Sequence, residues 1–461
     1  MARRRRRRPP RTRPDGEPLR SGAGEVLPFE LGQDGVTVKI GREQLALTAG
    51  VPGDHVRVAP APAPARGLVV ERLLEPSPHR VVPPCPLLQR CGGCSLQAMG
   101  YRAQLEAKTE QLGLLLGRLG PDGVDAPRVE GLSFPFGFRT KLLMVAGGRR
   151  GALRLGFHRA GTHELVPAEG CPVQHPQSLA VLASARQVLE AHGVEPSRGG
   201  ARRSPGAGWL HAVGVRVDPG SGESELTLSG RTDRVDAALI AQLGRLPTVS
   251  GVHLSVNPTR SSYPMEGAFS TLSGRPRTAF SLGDGRFLLS PGAFFQTSAE
   301  GAERLLSLVQ SLLPEHLGLL ADLYAGAGLL ALCTRRRWRR AVTVEANLAA
   351  VDDLRRHVQR TGFSGLTALS GRVEHRIAEV LDREPEVVLL DPPRRGCAPM
   401  VIEALVERRP PVVLYVACGV DALAAQTRQL VEGGYRVTGA GAVDMFPHTA
   451  HLEVVVRLEA R

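Results

Sequence analysis

Residues 322–332 read DLYAGAGLLAL, and this stretch decides the fold class of the C-terminal part of the chain. An apolar run ends at Asp322, a Gly-x-Gly turn follows at Gly326 and Gly328, and apolar residues at helical spacing come next. This order is typical of a buried strand that turns into a helix beside a ligand, because glycine lets a ligand approach the backbone. The stretch lacks the third glycine of a dinucleotide fingerprint and the Lys-Ser or Lys-Thr pair of a P-loop. What remains fits an adenosyl-binding turn, and a turn that closes an ordinary α/β unit is the alternative.

Strand-like and helix-like segments alternate on both sides of this turn, from about residue 281 to residue 461. Such alternation predicts a doubly wound parallel sheet, that is, a Rossmann-like α/β domain. Ligands bind to open sheets of this kind at the carboxyl ends of the strands, so we expect the functional residues there. The strand-like segments are LLADLYAG, AVTVEA, EVVLLDPP, PVVLYVAC and HLEVVVRLEA.

Three more of these segments end in a residue that can take part in chemistry. Glu345 lies near the end of AVTVEA, where an acid can accept hydrogen bonds from both hydroxyls of a ribose. Asp391 ends the strand of LLDPPRRG, and the two prolines after it hold the backbone rigid and extended. Cys418 follows the run PVVLYVA, and a thiol with a lowered pKa at this rim would be a nucleophile. An inert, buried thiol is the alternative for Cys418.

The last candidate segment is DMFPHTAHLEVVVRL, residues 444–458. Glu453 precedes three valines, and a carboxylate beside an apolar strand can have a raised pKa and act as a base. His448 and His451 are rival bases in the same segment.

The cysteines predict a metal site in a different part of the chain. Cys85, Cys91 and Cys94 lie in CPLLQRCGGC, and Cys171 is a fourth candidate ligand. Ligation by thiolates alone suits an iron–sulfur cluster or zinc, and the irregular spacing favours the cluster.

Composition and charge restrict the partners and the location. The formal net charge is +13, and the first twenty residues hold nine Arg against one Asp and one Glu. We therefore expect a disordered basic tail at residues 1–20 and a polyanionic partner, most simply nucleic acid. No apolar run approaches the roughly 18 residues of a membrane helix, and the N-terminus lacks the apolar region of a signal peptide. The expected location is the cytoplasm.

Two further units precede the C-terminal domain. Short apolar segments alternate with Gly and Pro over residues 21–80, which predicts a small five-stranded β-barrel. A helix is expected over about 98–119, and residues 130–280 read as a central α+β domain.

Taken together, these segments resemble the RNA (uracil-5-)-methyltransferases, in particular their iron–sulfur branch that acts on 23S ribosomal RNA. The motifs occur in the order found in that family. They are CPLLQRCGGCSLQ with YRAQLEAK, LSPGAFFQTS, DLYAGAG, VEAN, LDPPRRG, YVACG and DMFPHTAHLE.

The resemblance implies a role for ten side chains and four parts of the chain. S-Adenosylmethionine would be bound by Gln296, Tyr324, Glu345 and Asp391; Cys418 would be the nucleophile and Glu453 the base; Cys85, Cys91, Cys94 and Cys171 would hold a 4Fe-4S cluster. The parts would be the tail at 1–20, an RNA-binding TRAM-like barrel at 21–80, a central iron–sulfur domain at 81–280 and the methyltransferase domain at 281–461.

The implied activity is rRNA processing, the formation of 5-methyluridine in 23S rRNA, with no DNA partner. The same reaction on a tRNA uridine and a non-catalytic RNA-binding protein are the alternatives. One departure from the family stands at the nucleophile turn, where Gly419 and Val420 replace a common Asn-Pro pair.

Overall fold

A computed structural model describes residues 21–29, 31, 36–61, 68–118, 128–197, 208–257, 265, 267–283 and 285–461. The basic tail expected at residues 1–20 lies outside the described residues. Among the described helices, none is long and apolar enough to cross a membrane.

The first unit is a closed five-stranded barrel, as the alternation of short apolar segments predicts. Its strands follow the order β1-β2-β3-β5-β4 around the barrel. Every second residue of β4 points inward, because side chains alternate across a strand, and Val56 and Val58 are therefore fully buried. The strands are β1 Gly22–Val26, β2 Val36–Ile40, β3 Glu43–Leu47, β4 His55–Pro60 and β5 Leu68–Glu75.

One helix and a seven-stranded sheet form the central part of the molecule. Helix α1, Tyr101–Gly117, begins and ends within three residues of the bounds expected from its leucine spacing. The sheet has the order β12-β11-β10-β9-β6-β7-β8, and two helices pack on one of its faces. Its elements are β6 Lys141–Arg149, β7 Ala152–His158, β8 Leu165–Pro167, α2 Pro176–Ala191, β9 Leu210–Val217, β10 Ser224–Gly230, α3 Ala237–Gly244, β11 Val249–Val256 and β12 Ala268–Gly274.

A hairpin and a helix lead into the C-terminal sheet, whose order is β17-β16-β15-β18-β19-β21-β20. The first five strands in this order are parallel, which confirms the Rossmann-like prediction, and the last two are antiparallel to their neighbours. The elements are β13 Thr278–Leu282, β14 Gly285–Leu289, α4 Ala299–Leu312, β15 Leu317–Leu323, α5 Leu329–Cys333, a 3-10 turn at Arg335–Arg337, β16 Trp338–Glu345, α6 Leu348–Thr361, β17 Leu366–Ser370, α7 Val373–Leu381, β18 Val387–Leu390, α8 Pro399–Arg408, β19 Val412–Ala417, α9 Val420–Glu432, β20 Tyr435–Val443 and β21 Glu453–Ala460.

The central strands of this sheet are buried on both faces. In β18, Val388 and Leu390 belong to one apolar core, whereas Val387 and Leu389 belong to the core on the opposite face. Such strands read as continuous apolar runs rather than as alternating ones. The run therefore stops where the strand leaves the two cores, and that is where the polar candidate residues begin.

Candidate active site

The register of the C-terminal sheet brings the chemical residues to one edge. Leu323 at the end of β15 pairs with Leu390 of β18, and Leu390 pairs with Tyr415 of β19. Tyr324 and Asp391, the residues that follow β15 and β18, therefore leave the sheet side by side. Neighbouring strands lie roughly 5 Å apart, so this edge can hold one ligand across several strands.

The antiparallel strand β21 adds the last acid to the same edge. Val454 pairs with Ala417, the last residue of β19, so the register places Glu453 beside Cys418. Along the edge the order is Glu345, Tyr324, Asp391, Cys418, Glu453, and the thiol thus lies between the two acids Asp391 and Glu453.

The turn after β15 has the shape that a ligand site requires. Tyr324 has a φ of 66°, a left-handed conformation that a non-glycine residue rarely adopts. Gly326 has a φ of 57°, and a Cβ placed there would meet no atom within 4 Å. Glu345 supports the turn, because its Oε2 accepts a 2.9 Å hydrogen bond from the Gly326 amide and its Oε1 a 2.6 Å bond from the Asn347 amide. The backbone is thus both accessible and fixed where an adenosyl group would bind.

Asp322 lies beneath this turn and is fully buried. Its Oδ2 accepts a hydrogen bond of 3.1 Å from the Ala331 amide, while its Oδ1 has no hydrogen-bond partner among the described residues. The pKa of Asp322 is raised to about 8, mainly by burial; the charges of Asp391 and Glu345 contribute to the rise, and the Ala331 hydrogen bond opposes it. Asp322 therefore carries a proton at neutral pH.

The environment of Cys418 differs from the one expected from the sequence. Burial raises the pKa of the Cys418 thiol to about 11, and Glu453 and Asp391, when ionised, act in the same direction. A nucleophile at this rim would profit from a lowered pKa, whereas burial, and after it the two neighbouring carboxyl groups, raises the pKa of this thiol. Arg394 opposes them, through its charge and through a hydrogen bond to the sulfur.

The two acids beside the thiol also hold their protons more tightly than usual. Burial raises the pKa of Asp391 to about 7. Burial also raises the pKa of Glu453 well above its usual range, Asp391 adds to the shift, and Arg394 opposes it. A carboxyl group with a raised pKa is a stronger base once it is ionised, which suits proton abstraction near neutral pH.

Arg394 is a candidate site residue that the sequence motifs did not single out. The signal was present, since two arginines follow the acid and the prolines in LDPPRRG. The loop that carries Arg394 also explains Gly419, which departs from the family pattern. A Cβ at Gly419 would lie 2.2 Å from the carbonyl oxygen of Arg394, so a side chain at 419 would displace the loop that carries the guanidinium.

Gln296 lies on the loop before α4 and is the one candidate donor-binding residue that the sheet edge does not carry. It lines a cleft with Arg216 and Phe280. The central part of the molecule holds this loop, because Thr140 donates a 2.8 Å backbone hydrogen bond to Thr297 and Arg216 Nη2 donates to Ala293 at 3.0 Å. The neighbouring Phe294 is 60% exposed.

His448, one of the rival bases, has both ring nitrogens engaged in structural contacts. The residue is buried, its Nε2 lies 2.8 Å from the Pro135 carbonyl oxygen, and its Nδ1 lies 3.2 Å from Gln104 Nε2. Nε2 is therefore the donor and Nδ1 the acceptor of a neutral ring, and burial lowers the pKa of His448 to about 4. This geometry gives His448 a structural role and leaves Glu453 as the stronger candidate.

The four candidate metal ligands come together from two segments. Burial raises the pKa of Cys91 and of Cys171, and it raises the pKa of Cys94 to about 12. Cys85 and Cys171 lie close enough to Cys91 and Cys94 to add to the rise of their pKa values. The Cys85 amide and the Cys94 sulfur both bind the carboxamide of Gln97, at 3.0 and 3.8 Å. Even so, no group of three or more His, Cys, Asp or Glu side chains in the described part of the chain has the geometry of a metal site.

Known proteins resemble this chain in sequence and in fold. A family model described as tRNA (uracil-5-)-methyltransferase matches residues 285–461. An uncharacterized RNA methyltransferase of Gloeobacter violaceus is 32% identical over 96% of this chain and 99% of its own length. Another, from Halalkalibacterium halodurans, is 29% identical over 95% of this chain and 97% of its own.

Among solved structures, the Pyrococcus abyssi tRNA (uracil-54, C5)-methyltransferase in complex with S-adenosyl-L-homocysteine superimposes with a TM-score of 0.73. The match covers 95% of this chain and 100% of that one at 23% identity, and it therefore concerns the fold.

Proposed function

Since the chain belongs to the S-adenosylmethionine-dependent RNA (uracil-5-)-methyltransferase family, we propose that it forms 5-methyluridine in 23S rRNA through a covalent bond from Cys418 to uracil. One observation carries the proposal: β19 and β21 place a thiol and a carboxyl group side by side at the edge of the sheet, with the Arg394 guanidinium against both. The turn at Gly326, with Glu345, fits the methyl donor, which supplies an electrophilic methyl group on a sulfonium.

The first step is the addition of the Cys418 sulfur to C6 of the uracil ring. The thiol must first give up its proton to solvent water, and Arg394 favours the resulting thiolate through its charge and its hydrogen bond. As the S–C6 bond forms, the C5–C6 π electrons move toward the C4 carbonyl, and C5 becomes nucleophilic. C5 then takes the methyl group, and the bond from that methyl to the donor sulfur breaks.

The second half of the reaction belongs to Glu453. Ionised Glu453 takes the proton from C5, the electrons of the C–H bond restore the C5–C6 double bond, and the bond from C6 to the Cys418 sulfur breaks. The enzyme recovers a thiolate, and the product is 5-methyluridine. The raised pKa of Glu453 makes the carboxylate basic enough for this step.

The target uracil must leave its stack to reach this edge, so we expect a flipped or single-stranded uridine. Exposed Phe294 offers an apolar face for a base close to the site.

On the barrel, Arg57 of β4 lies opposite Arg72 of β5, and both are exposed. Like charges facing each other across a strand pair suit a phosphate between them, which supports the barrel as the RNA-binding, TRAM-like part. Replacing both arginines with Gln should weaken RNA binding about equally for all sequences; unchanged affinity at low salt would count against the barrel.

The proposal is tested with Cys418→Ala, labelled donor and transcripts of 23S rRNA and of tRNA. Wild type should label the 23S transcript, and Cys418→Ala should lose about ten-thousand-fold of that rate while still binding the donor. Cys333→Ala, which removes a thiol from the end of α5, is the matched control and should keep the rate. Turnover by Cys418→Ala at the wild-type rate refutes Cys418 as the nucleophile. If the wild-type protein labels tRNA alone, tRNA is the substrate. If the wild-type protein binds the donor but labels neither RNA, its role is non-catalytic.

We also propose that Cys85, Cys91, Cys94 and Cys171 hold a 4Fe-4S cluster, supported by their mutual proximity and by the chemistry of an all-thiol set. The side chains would have to turn toward a common point, since their present geometry is not that of a ligand set. Iron and acid-labile sulfide assays on protein purified without oxygen test this assignment. Stoichiometric zinc without sulfide, or the same iron content in a Cys91→Ser variant, would contradict it.

A further inference from the structure

The loop that delivers Glu453 is held by side chains from a distant part of the chain. We call residues 444–452 the base loop, because they connect β20 to Glu453, the first residue of β21. Val443 pairs with Glu453 across β20 and β21, so the two ends of the base loop lie next to each other. Any contact that fixes these ends also fixes where β21 begins and where the Glu453 carboxyl group points.

Lys108 of α1 binds both ends of the base loop at once. Its Nζ donates to Asp444 Oδ1 at 2.7 Å, to the His451 carbonyl oxygen at 3.0 Å and to the Phe446 carbonyl oxygen at 3.4 Å. Lys108 and Asp444 are both 0% exposed. An ammonium group has three hydrogens, so all of its donors are used within this one loop. Removing one member of such a buried pair leaves the other charge without compensation.

Gln104, one helical turn before Lys108, binds the middle of the same loop. Its Oε1 accepts a 2.9 Å hydrogen bond from the His448 amide, and its Nε2 lies 3.2 Å from His448 Nδ1. The same Nε2 also lies 3.1 and 2.8 Å from the carbonyl oxygens of Leu96 and Met99, so its two hydrogens are shared among three acceptors. His448 has a φ of 68°, a conformation that side chains rarely adopt and that these contacts hold in place.

Resting on the proposed function, we propose that Lys108 and Gln104 are positioning residues for the general base, which fix the base loop so that the Glu453 carboxylate stays beside Cys418. Neither residue reaches the reacting atoms, since both bind the base loop rather than Glu453 itself. Small displacements of a catalytic group cost rate steeply, so their loss should slow the step that Glu453 performs. Donor binding uses Glu345 and the Gly326 turn on the other side of the edge, and it should be preserved.

Loss of a positioning residue should be recognisable by the intermediate that accumulates. When proton abstraction is slow, addition and methylation still occur, and the enzyme accumulates as a covalent adduct with methylated RNA. A variant that is merely less stable loses active protein without enriching this intermediate. We therefore choose Gln104→Leu, which removes the carboxamide without leaving a buried charge, and Glu453→Gln as the reference for a trapped adduct.

The experiment mixes each full-length variant with labelled donor and RNA transcript and resolves protein–RNA adducts on a denaturing gel. Gln104→Leu should turn over about tenfold to a hundredfold more slowly, enrich the methylated adduct as Glu453→Gln does, and bind S-adenosylhomocysteine within about twofold of wild type. Gln111→Leu, the same substitution on the same helix, should behave as wild type. Should Gln104→Leu fail to fold, the double variant Lys108→Met with Asp444→Asn removes the buried charge pair together and serves the same purpose.

The outcomes separate this inference from the function on which it rests. Adduct in Glu453→Gln but none in the folded positioning variants, or wild-type turnover in those variants, overturns the positioning role alone. Loss of donor affinity in step with turnover overturns it too, because the defect would then be general. A Glu453→Gln enzyme that neither traps an adduct nor slows turnover overturns the proposed base and this inference with it.

Discussion

The two sides of the sheet edge are built in different ways. On the donor side, Asp322 binds an amide nine residues further along the chain, and Glu345 binds amides two and nineteen residues away. On the base side, the contacts of Lys108 with Asp444 and of Gln104 with His448 span 336 and 344 residues. The turn at Gly326 and its support by Glu345 are thus products of one β-α-β unit, whereas the base side exists only where two distant segments meet.

This difference decides what a substitution does at each side. A change on the donor side acts on a short segment and should alter affinity for one ligand. A change on the base side acts on a junction between two distant segments and should alter the rate of one chemical step. The following predictions test that separation, from the largest expected effect to the smallest.

Glu453→Gln should lower turnover by about a thousandfold, because an amide cannot take the C5 proton. The affinity for S-adenosylhomocysteine should stay at the wild-type value, since the donor site that we propose lies around Gly326 and Glu345. Rapid-quench turnover and isothermal titration measure the two quantities. Parallel losses of both would show that the two sides of the edge are not independent.

Glu345→Gln should weaken donor binding by about tenfold to a hundredfold, because a charge-assisted hydrogen bond is worth roughly 1.5–3 kcal/mol. The Gly326 amide loses its carboxylate acceptor, and so would the ribose hydroxyls of a donor bound as we propose. At saturating donor, turnover should recover and no adduct should accumulate. Adduct enrichment in this variant would contradict the assignment of Glu345 to the donor side.

Asp322→Asn should reduce the dependence of stability on pH. The pKa of Asp322 in the folded protein, about 8, lies above the ordinary value of 3.8. Between these values the folded state keeps a proton that the unfolded chain has lost, so the free energy of unfolding falls as pH rises from about 4 to about 8. Asn cannot titrate, and the slope should become shallower by up to about 1.4 kcal/mol per pH unit.

Urea titrations at several pH values measure that slope. Asp352→Asn is the matched control, because the half-buried Asp352 is paired with Arg356 and its arginine neighbours lower its pKa. A slope unchanged in Asp322→Asn would mean that Asp322 is ionised in the folded protein.

The sequence predicts the donor side well because its evidence is local. An acid, a Gly-x-Gly turn and a second acid at the next strand end are all visible in one segment, and the parallel sheet puts them at one edge. The ends of β18 and β19 follow from the same rule, which is why Asp391 and Cys418 could be placed at that rim. The closed barrel and α1 were also predicted, since alternation and leucine spacing are properties of neighbouring residues.

The remainder depends on contacts that no short segment contains. The raised pKa of Cys418 could not be derived from its own segment, because burial causes most of the rise and the acids that add to it follow β18 and begin β21. The spacing of Gln104 and Lys108 showed a helix, but it could not show that their side chains bind residues 444–451. Likewise, the clash that excludes a side chain at Gly419 involves the Arg394 carbonyl oxygen, 25 residues earlier.

The reach of Lys108 has a consequence for how the enzyme is made. A ribosome that adds about 5–20 residues per second needs on the order of 20–70 seconds to travel from residue 108 to residue 444. Throughout that interval the ammonium and carboxamide of the nascent helix have none of their acceptors in the base loop. The two sides of the edge are therefore completed at different times during synthesis, because the turn at Gly326 precedes the base loop by more than a hundred residues.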